Sequence, residues 1–251
     1  MTPSDAAPRD DRGHLLGDGL FETMLAQNGV IAHLSAHLDR MAAGCGALGL
    51  PFDRDEAERV ARAAAPEQGR FAVRLTLTAG SGGRGLDRPQ TPTPRLLVNA
   101  APAEPVTTPA ALVVATTRRN EGSPASRLKT LSYLDNVLAR AEARGAGADE
   151  AVMLNNRGEI ACAAAANLVW LADGRLFTPR LDCGVLAGIT RARLLAREAV
   201  EEVAVGVEAL DRAEAVVLTN SLIGARPVSR LGDRTLPEHP LAAQLNALLQ
   251  G

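Results

Sequence analysis

The sequence has almost no lysine, no charge of dominant sign, no long apolar run and few cysteines. Lys+Arg number 27 against 29 Asp+Glu, a formal net charge of −2. That balance leaves no basic surplus to hold nucleic acid or an anionic membrane surface. No apolar run approaches the ~18–20 residues that cross a bilayer, so no membrane partner is expected. Residues 1–13 (MTPSDAAPRDDRG) are polar and acidic, unlike a secretion signal. Cys45, Cys162 and Cys183 are odd in number and unpatterned in spacing. They suit a reducing cytoplasm better than a disulfide framework, so a cytoplasmic location is expected. What remains is an ordinary folded composition, 46% hydrophobic and 22% charged. The length allows one large domain or two modest ones.

The lysine deficit is informative. Among the 27 Lys+Arg residues only Lys129 is a lysine. A lysine that survives such a bias can do what arginine cannot, because only an amine loses its proton near neutral pH and condenses with a carbonyl. A GC-rich gene leaves one lysine by chance equally well. The neighbourhood has to decide.

Gly17-Asp18-Gly19 marks a turn before the apolar stretch Leu20, Phe21, Met24, Leu25. Leu34, Leu38 and Met41 at helical spacing predict a helix over 33–48, and Asp53 in capping position predicts another over 53–65. Strand-like runs at 70–79 and 95–99 flank the turn Gly80-Ser81-Gly82-Gly83-Arg84-Gly85. A proline-rich stretch over 101–110 places a boundary between a small α/β domain, 1–110, and a larger domain, 111–251. The larger domain is predicted to carry strands at 111–117, 150–155, 159–163, 167–172, 175–177 and 214–219. Its helices are predicted at 130–144, 190–201 and 239–249. His33 and His37 are four apart, but no third ligand is evident. They read as helix-surface residues, and no metal is expected.

Several blocks in one order carry a family resemblance. They are Asp11-Arg12-Gly13 with Gly17-Asp18-Gly19-Leu20-Phe21-Glu22-Thr23, then His37-Leu38-Asp39-Arg40, then Leu128-Lys129-Thr130-Leu131-Ser132-Tyr133 running on to Ala139. Residues 158–170 and Gly184-Val185-Leu186-Ala187-Gly188-Ile189-Thr190-Arg191 complete the series. From Asp11 to about Pro227 the chain resembles the class IV aminotransferases, the fold-type IV pyridoxal-phosphate enzymes. That family includes branched-chain and D-amino-acid aminotransferases and aminodeoxychorismate lyases. The resemblance implies an α+β, two-domain architecture like that of D-amino-acid aminotransferase, with the active site between the domains. It also implies a homodimer, pyridoxal 5'-phosphate as cofactor and a small-molecule carboxylate as substrate.

Site residues follow from the same resemblance. Lys129 would bind the cofactor's aldehyde. Arg40, the backbone N–H groups of Ile189 and Thr190, and the loop residues Asn220 and Ser221 would hold its phosphate. Arg84 would meet a substrate carboxylate, with Phe21 and Tyr133 as further substrate-side candidates. Taken singly, Arg40 reads as a solvated helix-face charge, Arg84 as an exposed loop arginine and Thr190 as a plain N-cap. Tyr133, four residues after Lys129, would share its face if both lay on one helix, and would shape a pocket or bury itself in the core.

One departure is chemical. The family strand carries a glutamate against the pyridine nitrogen, five residues before an asparagine. Here Asn167 fits the asparagine and Cys162 takes the glutamate's place, while Glu159 falls on the opposite face of a regular strand. A thiol is a poor partner for a pyridinium. Ala165-Ala166-Asn167-Leu168-Val169-Trp170 and Thr219-Asn220-Ser221-Leu222-Ile223 look most like aminodeoxychorismate lyases, which release pyruvate and give 4-aminobenzoate for folate synthesis. The alternatives are an aminotransferase acting on D-amino or branched-chain amino acids, and a family member whose catalysis is weakened by Cys162.

Overall fold

Asp11 accepts the Gly13 N–H at 2.8 Å and so starts a short helix, α1 (Arg12–Leu16). Gly17 ends it in left-handed backbone, φ 66°. A Cβ at Gly17 would also lie 2.4 Å from Ser132 Oγ, so glycine is required twice over. The computed structural model describes residues 8–82 and 85–250. The chain divides into two units, one of Met1–Glu104 with Leu128–Ser132, the other of Pro105–Arg127 with Tyr133–Gly251. The break after Glu104 falls within the proline-rich stretch over 101–110, and the first unit also includes the segment around Lys129.

In the first unit α1 leads to β1 (Gly19–Gln27), β2 (Val30–Ile31), α2 (Leu34–Leu48), α3 (Arg54–Ala64), β3 (Arg70–Thr78) and β4 (Arg95–Pro102). The strands form an antiparallel sheet in the order β2-β1-β3-β4. Met24, Val73, Leu75 and Leu77 of the sheet are buried with Leu38 and Met41 of α2. The apolar stretch after Gly19 is thus a strand. Residues 129–131 lie along it: Leu20 bridges Thr130, Phe21 N–H donates to the Lys129 carbonyl, and Leu131 N–H donates to the Gly19 carbonyl, both at 2.9 Å.

The second unit runs β5 (Ala110–Val114), α4 (Pro124–Arg127), α5 (Leu134–Gly145), β6 (Glu150–Leu154), β7 (Ile160–Ala163), β8 (Asn167–Ala172) and β9 (Arg175–Pro179). It continues with α6 (Ile189–Leu195), β10 (Val200–Val203), β11 (Ala215–Asn220), β12 (Gly224–Leu231), β13 (Arg234–Thr235) and α7 (Leu241–Gln250). Its mixed sheet has the order β10-β9-β8-β11-β12-β5-β6-β7, with β13 on β12. No helix among the described residues is long and apolar enough to cross a membrane.

Two predicted elements differ from those found, and the strand β12 was not predicted. The helix expected over 190–201 stops at Leu195, because Val200 and Val203 pair with β9 in parallel and sheet contacts override helix propensity. The helix expected over 130–144 starts only at Leu134, since the backbone of 129–131 bonds laterally to β1. Lys129 and Tyr133 therefore share no helical face. β12 was hidden by Pro227, a strand-breaking residue that sits opposite Val217 just before an irregularity at Val228/Arg230.

Asp11 is fully buried and accepts from Thr78 Oγ1 at 2.8 Å as well as from Gly13. Asp11→Ala removes a cap and strands a buried hydroxyl, a loss of about 2 kcal/mol. Urea unfolding of the two proteins measures it, and a difference below ~0.5 kcal/mol would contradict this role.

Candidate active site

In the first unit the strand edge sets the lysine. With its backbone tied to β1, Lys129 places Nζ 4.0 Å from the centroid of the Phe21 ring. Arg74 Cζ lies 3.8 Å from the same centroid. The amine is partly buried, and the hydroxyl of its neighbour Thr130 is buried without a hydrogen-bond partner. Phe21, proposed from sequence for the substrate side, is therefore the surface against which the lysine rests.

Arg40 is engaged. One residue beyond Phe21, Glu22 is 1% exposed and receives Arg40 Nε at 2.8 Å and Arg40 Nη2 at 2.6 Å. His37 Nδ1 lies 2.7 Å from the same carboxylate. Burial opposes ionisation of Glu22, but the bonds from Arg40 and His37 prevail and hold its carboxyl below the usual range. His37 is thus a fully buried partner of Glu22, which corrects the reading of it as a surface residue. Three- and four-residue spacing on α2 puts His37 and Arg40 on the side facing β1, a relation that helical periodicity showed only for the apolar positions. Arg12, from the opening motif, is a clamp. It pairs with Asp18 at 2.9 Å and donates to the carbonyls of Leu86 and Asp87.

In the second unit the start of α6 is shaped by Asn167. Its Nδ2 donates to the Leu186 carbonyl at 3.0 Å, and a Cβ on Gly188 would fall 2.0 Å from its Oδ1. Gly188 is the N-cap of α6 and provides no side chain, so the first N–H groups of Ile189 and Thr190 are uncapped by any side chain. Asn167 pairs across the sheet with Thr219, whose hydroxyl is buried without a partner. Asn220 spends its side chain on loop shape. Its Oδ1 accepts from Leu222 and Ile223 N–H, and its Nδ2 donates to the Ala165 carbonyl. Ser221 follows, partly buried. Ile189, Thr190, Asn220 and Ser221 are thereby linked through Asn167 and the turn at Ala165.

Cys162 lies on β7, 5% exposed, in an apolar cluster with Ala115, Ala139, Met153 and Ala164. Burial pushes its thiol up, so it stays protonated. Glu159 is spoken for: Asn155 Nδ2 and Arg157 Nε donate to it at 2.7 and 2.9 Å. Tyr133, partly buried, is the N-cap residue of α5. Arg84 lies outside the described residues.

Each unit by itself carries donors of a kind that pyridoxal phosphate requires. A partly buried primary amine suits an aldehyde, and an uncapped helix start beside an unpartnered hydroxyl suits a phosphate. Position 162 itself offers a buried thiol and no carboxylate.

Comparison with known proteins follows the same lines. A family described as amino-transferase class IV matches residues 19–231. The aminodeoxychorismate lyase of Vibrio harveyi is 30% identical over 264 residues, covering 99% of this chain and 96% of its own. The chloroplastic D-amino-acid transaminase of Arabidopsis thaliana is 30% identical over 262 residues, covering 96% of this chain and 70% of its own. The crystal structure of 4-amino-4-deoxychorismate lyase from Pseudomonas aeruginosa is similar with a TM-score of 0.88 at 30% identity, over 99% of this chain and 96% of its own.

The Glu22 cluster makes a signed prediction. A carboxyl whose folded value is depressed contributes stability above its ordinary value, near 4.5, and loses it as pH falls through the folded value. Glu22→Gln should cost about 3 kcal/mol at pH 7, and the gap to wild type should narrow below pH 4.5. Urea titrations at both ends of that range test it. A gap independent of pH would remove the charge from the account.

Proposed function

The chain belongs to the amino-transferase class IV family, and on that premise we propose that it is a pyridoxal-phosphate-dependent lyase converting 4-amino-4-deoxychorismate to 4-aminobenzoate and pyruvate. The observation that carries the proposal is the agreement with aminodeoxychorismate lyases along nearly the whole of both chains, with the sole lysine held on the strand edge. Such a product serves folate biosynthesis. The free cysteines suit the cytoplasm.

The roles are assigned as follows. Pyridoxal phosphate, when bound, supplies an electron-accepting ring conjugated to the substrate's amino-bearing carbon. Lys129 would hold its aldehyde carbon, and the Lys129 amine is the base that would take the proton from the substrate's α-carbon. Arg40, with Glu22 and His37 fixing its guanidinium, attracts the phosphate, and the N–H groups of Ile189 and Thr190 receive it with Ser221. Phe21 keeps the lysine on its face of the site, Tyr133 lines the substrate side, and Arg84 receives a carboxylate. Asn220 acts through the loop it shapes. Loss of pyruvate aromatises the ring, so the elimination needs less from the position that Cys162 occupies than a transamination would.

A second reading is an aminotransferase on D-amino or branched-chain amino acids, favoured by the 30% identity to the Arabidopsis transaminase. A third is the same fold with weakened catalysis, favoured by Cys162. A homodimer is supported by α5, where Leu134, Val137, Leu138 and Ala141 are all exposed at helical spacing. Leu134 is 66% exposed and Val137 59%, an apolar stripe that suits a second copy of the chain.

Three measurements test these proposals. Purified protein given pyridoxal phosphate and aminodeoxychorismate should release pyruvate and 4-aminobenzoate. Transfer of an amino group to a 2-oxo acid without that release would favour the aminotransferase. Lys129→Ala should lose the visible absorbance band and the borohydride-trapped label, and label elsewhere in the folded variant would refute the assignment. Val137→Glu should lower the mass seen by light scattering from dimer to monomer, whereas a monomeric wild type would dismiss the stripe as an interface.

A further inference from the structure

Arg119 is a buried cation without an anion. The residue is only 5% exposed, and each of its three guanidinium nitrogens donates to a neutral acceptor. Nε donates to the Gly184 carbonyl at 3.1 Å, Nη1 to Asn136 Oδ1 at 2.8 Å, and Nη2 to the Ser126 carbonyl. Among the described residues no carboxylate pairs with it. Among the described residues every other arginine as buried as this one has an acidic partner: Arg12 has Asp18, and Arg191 has Glu202. Burying a guanidinium in this way is costly, and removing one member of a buried pair usually leaves such a cost behind.

Two of the acceptors of Arg119 are tied to the cluster that holds position 162. Gly184 lies between Cys183 and Val185, both members of the apolar cluster that holds Cys162. Asn136 donates in turn to the carbonyl of Ala164, two residues along the chain from Cys162 and in the same cluster. The neighbouring elements bring few other charges. Glu150 of β6 is paired with Arg140 of α5 at 2.5 Å, and Cys183 donates to Glu159, which is already bound to Arg157. The guanidinium of Arg119 draws the Cys162 thiol down while burial and Glu150 push it up. Arg119 is the one uncompensated charge of the set.

We propose that Arg119 governs the electrostatic state of position 162, keeping that end of the site positive so that the cofactor's ring nitrogen stays unprotonated. This rests on the reading above that position 162 faces the ring nitrogen. A neutral thiol leaves the field of Arg119 uncancelled, and a second positive charge at the ring nitrogen is disfavoured by that field. A carboxylate in place of Cys162 would be taken up as the missing partner of Arg119. Arg119 is a positioning residue here, acting through its field without touching reacting atoms.

The test uses the protein loaded with pyridoxal phosphate labelled with nitrogen-15 in the ring. The nitrogen resonance separates the protonated from the unprotonated ring without reference to activity. Wild type should show the unprotonated signal from about pH 6 to about 8. Arg119→Gln and Cys162→Glu should each move the signal toward the protonated form, while Arg119→Lys, which keeps the charge, should not. A protonated ring in wild type, or an Arg119→Gln signal identical to wild type, overturns the proposal. A second arm needs no cofactor and guards against variants that fold poorly. In urea unfolding, Cys162→Glu should be tolerated beside Arg119 but should lower the folding equilibrium at least about tenfold more beside Gln at position 119. Additive effects refute the coupling. If pyridoxal phosphate gives neither a visible band nor a Lys129 label, the proposed function fails, and this second arm alone decides whether Arg119 faces position 162.

Discussion

Two backbone hydrogen bonds hold the chain's only lysine. Phe21 N–H to the Lys129 carbonyl and Leu131 N–H to the Gly19 carbonyl make residues 129–131 a short extra edge on β1. A side chain on such an edge has its Cα and its direction set by the sheet, with only its own rotamers left free. Phe21, on the same stretch of strand, then restrains the ammonium end. The glycines before β1 are part of this arrangement. A Cβ at Gly19 would lie 2.3 Å from the Leu77 carbonyl and one at Gly17 would collide with Ser132, so the turn admits the lysine segment only because both are bare. Glu22, next along β1, extends the same ordering to His37 and Arg40.

Much of the fold was legible because burial imposed a period. The helices near 34–48 and 54–64 show apolar residues at turns of 3.6, and the strands from 150 to 172 show short apolar runs between turn residues. Lys129 was legible through scarcity and through its neighbours. What escaped shares one cause: it depends on pairings between distant residues. Glu22 and His37 are 15 residues apart, and a lone acid in an apolar strand says nothing about its partner until the register is known. Pro227 concealed β12, and the alanine- and arginine-rich run after Thr190 favoured a longer helix than β9 allows. Arg119 stands in the polar run Thr116-Thr117-Arg118-Arg119-Asn120, which gives no sign that the fold carries it inside.

The imbalance between arginine and lysine acquires a physical meaning in the folded chain. Arg12 spans the carbonyls of Leu86 and Asp87, Arg119 those of Gly184 and Ser126, and Arg234 those of Leu210 and Ala213. A planar fork with several fixed donors can tie two carbonyls of an irregular segment at once, which a single ammonium does poorly. Turns and short helical segments are thereby held from inside. The positions that need such bridging exclude lysine, and the one position that needs a removable proton excludes arginine.

The first unit is assembled from two separate stretches of chain, residues up to Glu104 and residues 128–132. Synthesis proceeds from the N-terminus, so the four-stranded sheet can pair and its core can close before the second stretch exists. The edge of β1 at Gly19–Phe21 then waits, with the Phe21 N–H and the Gly19 carbonyl open to water, until a further stretch of polypeptide has emerged. The lysine is thus synthesised after the sheet that receives it, and the unit that displays it has no complete form in any fragment that stops at its own sheet.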